Sequence, residues 1–117
     1  MGLAMNIQIF GRAKCFDTRK SVRYFKERGI KYQLIDVDKY GISRGEFNSI
    51  ARAVGGWENM LNTESGDQDL LALIRYLAPE DKQEKLMENP KLLKTPIVRN
   101  GREAAVGYCP DVWKLWS

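Results

Sequence analysis

Asn6-Ile7-Gln8-Ile9-Phe10, a helical run from about Phe16 to Arg28, and Tyr32–Asp38 follow one another with only short connections between them. This strand–helix–strand succession is the feature that most constrains the fold. A helical crossover of this length returns the chain to the same sheet, which makes the two strands parallel and the connection right-handed. Gly11 closes the first run and Gly29 is a natural helix stop. Asp17 lies in the first helical turn, and Val22 and Phe25 supply an apolar stripe. Tyr32–Asp38 reads as a second, buried strand.

The middle of the chain is helical. Ser43-Arg44-Gly45-Glu46 has the form of a capping box, with Ser43 as N-cap. Phe47, Ile50, Ala51 and Val54 then share one face until Gly55-Gly56 ends the helix. Ser65 or Asp67 caps a further helix bearing Leu70, Leu71, Ile74 and Leu77, and Pro79 suits the first position of another that ends near Asn89-Pro90. Beyond it, Pro96–Arg99 and Arg102–Val106 flank Asn100-Gly101, a strong two-residue hairpin signal. Pro110 then opens a short helix carrying Val112, Trp113, Leu115 and Trp116, with Cys109 as its N-cap. The order is strand, helix, strand, helical middle, hairpin, helix, an α/β arrangement. At 117 residues the chain suits one domain with one good core.

Histidine is absent and cysteine occurs twice, as Cys15 and Cys109. No Ser-His-Asp or Cys-His pair and no imidazole-ligated metal is available, and two thiols are too few for an all-thiolate zinc site, so no metal is expected. The net charge of +4 is uneven: from Arg12 to Lys31, eight basic residues stand against Asp17 and Glu27. That stretch reads either as a local field around one site or as a solvated helix face, and it offers a docking surface for an acidic protein partner. Nucleic acid is not expected, because a chain that coats it would be more basic overall with interleaved aromatics. No apolar run approaches the ~18 residues of a membrane span and no signal-peptide pattern opens the chain, so the expectation is a cytoplasmic protein with reduced thiols and no membrane contact.

Cys15 falls at the junction of the first strand and its helix, facing unpaired N–H groups and the positive end of the helix dipole. Arg12, Lys14, Arg19 and Lys20 are within five residues of it. Both effects favour a thiolate and a reactive sulfur; the bland alternative is a buried, inert cysteine. Cys15-Phe16-Asp17-Thr18 has CxxC spacing with threonine in second place, which excludes a local dithiol and leaves the Thr18 hydroxyl to bond the sulfur. Cys109 has a structural role or, if the hairpin brings it near the first loop, serves as the resolving thiol. Thr95-Pro96 enters a strand where a cis proline would expose backbone groups to a thiol-bearing substrate.

Taken together, these residues resemble the arsenate reductase (ArsC)–Spx family of the thioredoxin superfamily. The likeness is carried by Ile9-Phe10…Cys15-x-x-Thr18-Arg19-Lys20, Tyr24-Phe25…Gly29-Ile30, Leu61-Asn62-Thr63, the run Glu88-Asn89-Pro90-Lys91-Leu92-Leu93-Lys94-Thr95-Pro96-Ile97-Val98, and Gly107-Tyr108-Cys109-Pro110. The resemblance implies a thioredoxin-like fold, a four-stranded mixed sheet flanked by helices. It also implies a single ArsC-like domain over 1–117, with its core at about 5–40 and 94–117 and a helical insertion at about 42–91. It casts Cys15 as nucleophile, Thr18 and Arg19 as its hydrogen-bonding neighbours and Pro96 as the cis proline. The expected substrate-binding positions are Arg12, Lys14, Thr95, Pro96 and Tyr108, with Arg12, Lys14 and Arg19 compensating in part for cations that the family's reductases carry. No bound cofactor is implied. Glutathione or another low-molecular-weight thiol would act as co-substrate, with glutaredoxin or thioredoxin as reductant.

The resemblance also has departures. Family reductases hold their oxyanion with three arginines, and the corresponding positions here are Glu64, Thr95 and Tyr108. At ~1.5–3 kcal/mol per charge-assisted hydrogen bond, that loss removes several kcal/mol of oxyanion binding. The Spx-like branch uses a CxxC switch whose second cysteine is Thr18 here. Two functions stay open: a single-thiol oxidoreductase of undefined substrate, and a non-catalytic Spx-like protein-binding or regulatory module.

Overall fold

The computed structural model describes residues 6–116. The expected domain span of 1–117 therefore includes residues 1–5 and 117, which lie outside the described residues. Strand β1 (Ile7–Gly11) leads through a short loop into helix α1 (Phe16–Glu27), and β2 (Tyr32–Asp36) follows. β1 and β2 are parallel, Ile9 opposite Leu34. Strands β3 (Ile97–Asn100) and β4 (Glu103–Val106) form the late hairpin. β3 runs antiparallel to β1, giving a four-stranded mixed sheet in the order β2-β1-β3-β4. Helices α2 (Val37–Tyr40), α3 (Arg44–Ala53), α4 (Gln68–Arg75) and α5 (Pro79–Glu88) lie between β2 and β3, with 3-10 turns at Trp57–Met60 and Pro90–Leu92. Helix α6 (Pro110–Trp113) closes the chain.

Strand alternation divides the interior into two clusters, one on each face of the sheet. Phe10 and Ile97 point to the face covered by Phe47, Ile50, Met60, Leu71, Ile74, Leu86 and Leu92 of the connecting segment. Ile7, Ile9 and Val98 point to the other face, against Tyr24 and Phe25 of α1 and Trp113 of α6. There the three rings pack with centroids 5.0 Å apart in each pairing, edge-on for Tyr24 and tilted between Phe25 and Trp113.

The start of α3 is fixed to the sheet by polar side chains. Ser43 Oγ accepts from the Glu46 N–H at 3.2 Å and Glu46 Oε1 accepts from the Ser43 N–H at 3.1 Å, the expected capping box. Glu46 Oε2 also accepts from the Gln8 amide, whose carbonyl oxygen accepts from Arg99 at 2.8 Å. Pro79 is the first residue of α5, as expected, and Asp67 rather than Ser65 caps α4.

Several local readings change. The second strand stops at Asp36 instead of Asp38, because the Asp36 carboxylate accepts the Asp38 N–H at 3.0 Å and caps α2. It is also an edge strand with Gln33, Leu34 and Asp36 exposed, where a buried one is expected. Leu77 lies beyond α4, which ends at Arg75. In the hairpin Asn100 pairs with Glu103, so the two turn residues are Gly101 and Arg102, one position later than the Asn-Gly signal suggests. Gly101 has φ +61° and Arg102 does not share a positive φ, which fits a type II′ turn.

Candidate functional site

Cys15 is the N-cap of α1. Its backbone N–H bonds the Arg12 carbonyl at 3.0 Å, which closes the loop that turns β1 into the helix. The sulfur meets the chain just before β3, where Sγ lies 3.5 Å from the Thr95 carbonyl oxygen. The Thr95–Pro96 peptide is cis, and the Pro96 carbonyl accepts the Gly107 N–H at 2.7 Å.

Burial alone would raise the Cys15 pKa, but hydrogen bonds outweigh it and hold the thiol below its ordinary value. They come from the Thr18 and Thr95 side chains and from the Thr18 and Asp17 backbone N–H groups. The neutral thiol donates to the Thr95 carbonyl; the ionised sulfur instead accepts from hydroxyls and the open helix end. Thr18 is 2% exposed and sits beneath the sulfur's loop, where its Oγ1 accepts from the Arg12 N–H.

The expected cationic field does not converge on the sulfur. Arg12 Nε bonds both carboxylate oxygens of Asp38, at 3.1 and 2.9 Å. Its terminal nitrogens bond the Leu93 carbonyl at 3.0 Å, the Thr95 hydroxyl at 3.3 Å and the Pro90 carbonyl. Arg12 is thus a strut between the first loop and the approach to β3. By accepting from Arg12, the Thr95 hydroxyl is left to aim its own proton at the sulfur. Lys14 and Arg19 are exposed and stand outside the cleft. Arg19 and Lys20 gather over the Phe16 ring, and Lys20 lies 4.3 Å from the centroid of Tyr108.

A cleft of about 750 Å³ opens beside Cys15. Of the residues expected at the site, Arg12, Cys15 and Thr95 line it. Tyr108 and Cys109 do not: Tyr108 packs edge-on against Trp113, and Cys109 lies against the cluster behind the sheet with its thiol donating to the Val106 carbonyl at 3.3 Å. Burial pushes the Cys109 thiol up, opposite to Cys15, and both cysteines are free.

Apart from Glu64, which the resemblance sets at an oxyanion-binding position, the sequence does not mark the rest of the wall as a site. Asp17, Asn59, Asn62, Glu64 and Lys94 all line the cleft. Asn62 and Glu64 arrive there because Leu61 bridges Leu93, the Asn62 N–H bonds the Leu92 carbonyl at 2.7 Å, and the Lys94 N–H bonds the Met60 carbonyl at 2.8 Å. The sequence signals for this wall are the Leu61-Asn62-Thr63 run with Glu64 after it and the Glu88–Val98 run that contains Lys94. Among the described residues no cluster of three or more His, Cys, Asp or Glu side chains forms a metal site, and no helix is long and apolar enough to cross a membrane.

The fold has close counterparts. An arsenate reductase from Vibrio cholerae superposes with a TM-score of 0.81 at 24% identity, covering 94% of this chain and 96% of that one. An arsenate reductase (ArsC) related protein from Brucella melitensis does so with a TM-score of 0.65 at 19% identity, covering 99% and 98%. In sequence, the "Global transcriptional regulator Spx 2" of Oceanobacillus iheyensis is 31% identical over 109 residues, 92% of this chain and 80% of that protein. The ArsC family pattern matches residues 10–115, from the end of β1 to the residue before Trp116. On that match and that relative, the chain belongs to the ArsC family, and its mixed sheet in the order β2-β1-β3-β4, with β1 and β2 parallel and β3 and β4 antiparallel, is the expected thioredoxin-like fold.

Proposed function

We propose that the protein is a thiol-dependent oxidoreductase with Cys15 as its nucleophile. The observation that carries this reading is the sulfur's setting, at the N-cap of α1 and on the wall of a cleft, with hydrogen bonds that favour its ionised form. Thr18 and Thr95 stabilise the thiolate, and Arg12 positions Thr95. The thiolate attacks one sulfur of an oxidised thiol substrate, the substrate's S–S bond breaks, and the departing half leaves as a thiolate that takes a proton from water. A second thiolate, from glutathione or another low-molecular-weight thiol, then attacks the mixed disulfide and releases Cys15 reduced. Glutaredoxin or thioredoxin would regenerate that thiol in the cytoplasm, and the chain would act as a single domain with no bound cofactor.

Arsenate fits this cleft less well than a disulfide. The three positions that carry arginine in the family's reductases are Glu64, Thr95 and Tyr108, and the Tyr108 ring is turned to Trp113. Cys109 packs away from the cleft with a raised pKa, which favours an external resolving thiol over a Cys15–Cys109 bond.

A second reading has its own support. The relative at 31% identity is a transcriptional regulator by name, and beside Cys15 the exposed Phe16 adjoins the basic face of α1. On that reading the chain is a non-catalytic module that docks on an acidic protein. Intact-mass analysis after mild oxidation, with and without glutathione, separates the two. A glutathione adduct on Cys15, absent in Cys15→Ser, is the result expected of the oxidoreductase. A Cys15 that stays unmodified while the protein still binds an acidic partner would overturn it.

A further inference from the structure

The charges that line the Cys15 cleft are Arg12, Asp17, Glu64 and Lys94 among the described residues. Arg12 is already matched by Asp38 in a 2.9 Å ion pair. Asp17 and Glu64 take part in none of the ion pairs among the described residues. Two carboxylates outside any ion pair and the thiolate therefore share the cleft with one cation outside any ion pair, Lys94. The nearby basic residues do not restore the balance. Lys14 and Arg19 stand outside the cleft, and Lys20 is drawn onto the Tyr108 ring.

Glu64 is held on this wall by backbone. Its N–H bonds the Asn62 side-chain oxygen at 3.0 Å, and Asn62 is itself tied to Leu92. An incoming anion would meet the Asp17 and Glu64 carboxylates in the same cleft as the sulfur, whereas an ammonium or guanidinium group would find two partners there. We propose that this cleft selects disulfides whose flanking groups are cationic, with Glu64 setting the preference and Asp17 reinforcing it.

The proposal rests on the reading of Cys15 as a nucleophile and names the substrate class for that sulfur. The chemistry is one exchange: the Cys15 thiolate bonds one sulfur of the disulfide, the S–S bond breaks, and the other half leaves as a thiolate. Cys15 is oxidised to a mixed disulfide and the departing half is reduced. Charge on the flanking group enters only through attraction to the wall, so it is a local effect that salt screens.

The test follows Cys15 adduct formation by intact mass with three probes: cystamine (cationic), bis(2-hydroxyethyl) disulfide (neutral) and dithiodiglycolate (anionic). Each rate is divided by that of a free model thiol that carries no other charged group, corrected to its thiolate fraction, with the same probe, which removes differences in leaving-group acidity. Cys15→Ser supplies the blank for adducts elsewhere. The expected normalised order is cationic, neutral, anionic, with a ratio of roughly three- to tenfold between the extremes at low salt that shrinks at 1 M salt. Glu64→Gln should bring that ratio down toward the remainder set by Asp17, and Glu64→Arg should invert it. Glu80→Gln, the same charge change in the first turn of α5, should leave it unmoved. A flat or reversed order with a normally reactive neutral probe overturns this inference alone. No adduct with any probe overturns both it and the assignment of Cys15 as nucleophile.

Discussion

Thr18 lies directly over the α-carbon of Gly11, so that a Cβ on Gly11 would stand 2.6 Å from the Thr18 hydroxyl oxygen. Gly11 is required by this approach rather than by its backbone angle, since it is not among the glycines with positive φ. The last residue of β1 is therefore fitted to the first turn of α1, and the fit holds a hydroxyl under the Cys15 sulfur. Gly11→Ala must push Thr18 away. The expected cost is about 1–3 kcal/mol of stability in urea denaturation, with the Cys15 pKa moved upward in an alkylation pH profile. An alanine variant with both quantities unchanged would refute the fit.

Cys15 should alkylate at lower pH than an ordinary thiol, whose pKa is about 8.5, and Cys109 at higher pH. Burial opposes the Cys15 shift and the two threonines drive it, so Thr18→Val and Thr95→Val should each move the profile up. The stability linkage has a definite sign. A thiol whose folded pKa is lowered adds stability that is present above the unfolded value of about 8.5 and is lost as pH falls through the folded value. Cys109, with its pKa raised, works in the opposite sense. Urea midpoints across pH in a Cys109→Ser background isolate the Cys15 contribution; a slope of the wrong sign there would contradict the shift.

Arg12 and Asp38 should not cost the same when altered. Asp38 is half-exposed, and an exposed ion pair is worth about 0–1 kcal/mol, so Asp38→Asn should be mild. Arg12→Lys gives up the fork that also reaches the Leu93 and Pro90 carbonyls and should cost about 1.5–3 kcal/mol. Because Arg12 also orients the Thr95 hydroxyl, the Arg12 variant alone should raise the Cys15 alkylation profile. Equal effects of the two changes would remove Arg12 from the positioning role.

Trp113 is 2% exposed and its ring meets both Tyr24 and Phe25. Trp113→Ala should cost about 3–5 kcal/mol in thermal or urea unfolding. Helix α6 has four residues and holds its place through this ring, so near-ultraviolet circular dichroism of the remaining tryptophans should also change.

What could be read from the sequence was what is local. The βαβ opening, the Ser43–Glu46 box, Pro79 at a helix start and both cysteines at N-caps follow from residues a few positions apart. The end of β2 was missed because the Asp36 cap competes with strand alternation over a single turn. The site is half legible. Cys15, Thr18 and Thr95 can be named from the sequence and come together in the structure, whereas the pattern around Arg12 suggests a field on the sulfur or a substrate contact and does not disclose its bonds to Asp38, Pro90 and Leu93. Its side-chain partners lie 26 to 83 residues away, and no local pattern names them. Asn62 and Glu64 reach the cleft through pairing across α4 and α5, from residues 60–62 to 92–94, which periodicity does not register.

The bridge between Leu61 and Leu93 fastens the middle of the helical segment, just before α4, to its exit toward β3 at the rim of the cleft. The wall bearing Asn62 and the strand approach bearing Thr95 are consequently one cooperative unit in local unfolding. A fluctuation that frees the Asn62 amide also frees Lys94, so protection of these two amides from hydrogen exchange should rise and fall together, and an occupant of the cleft should slow both at once.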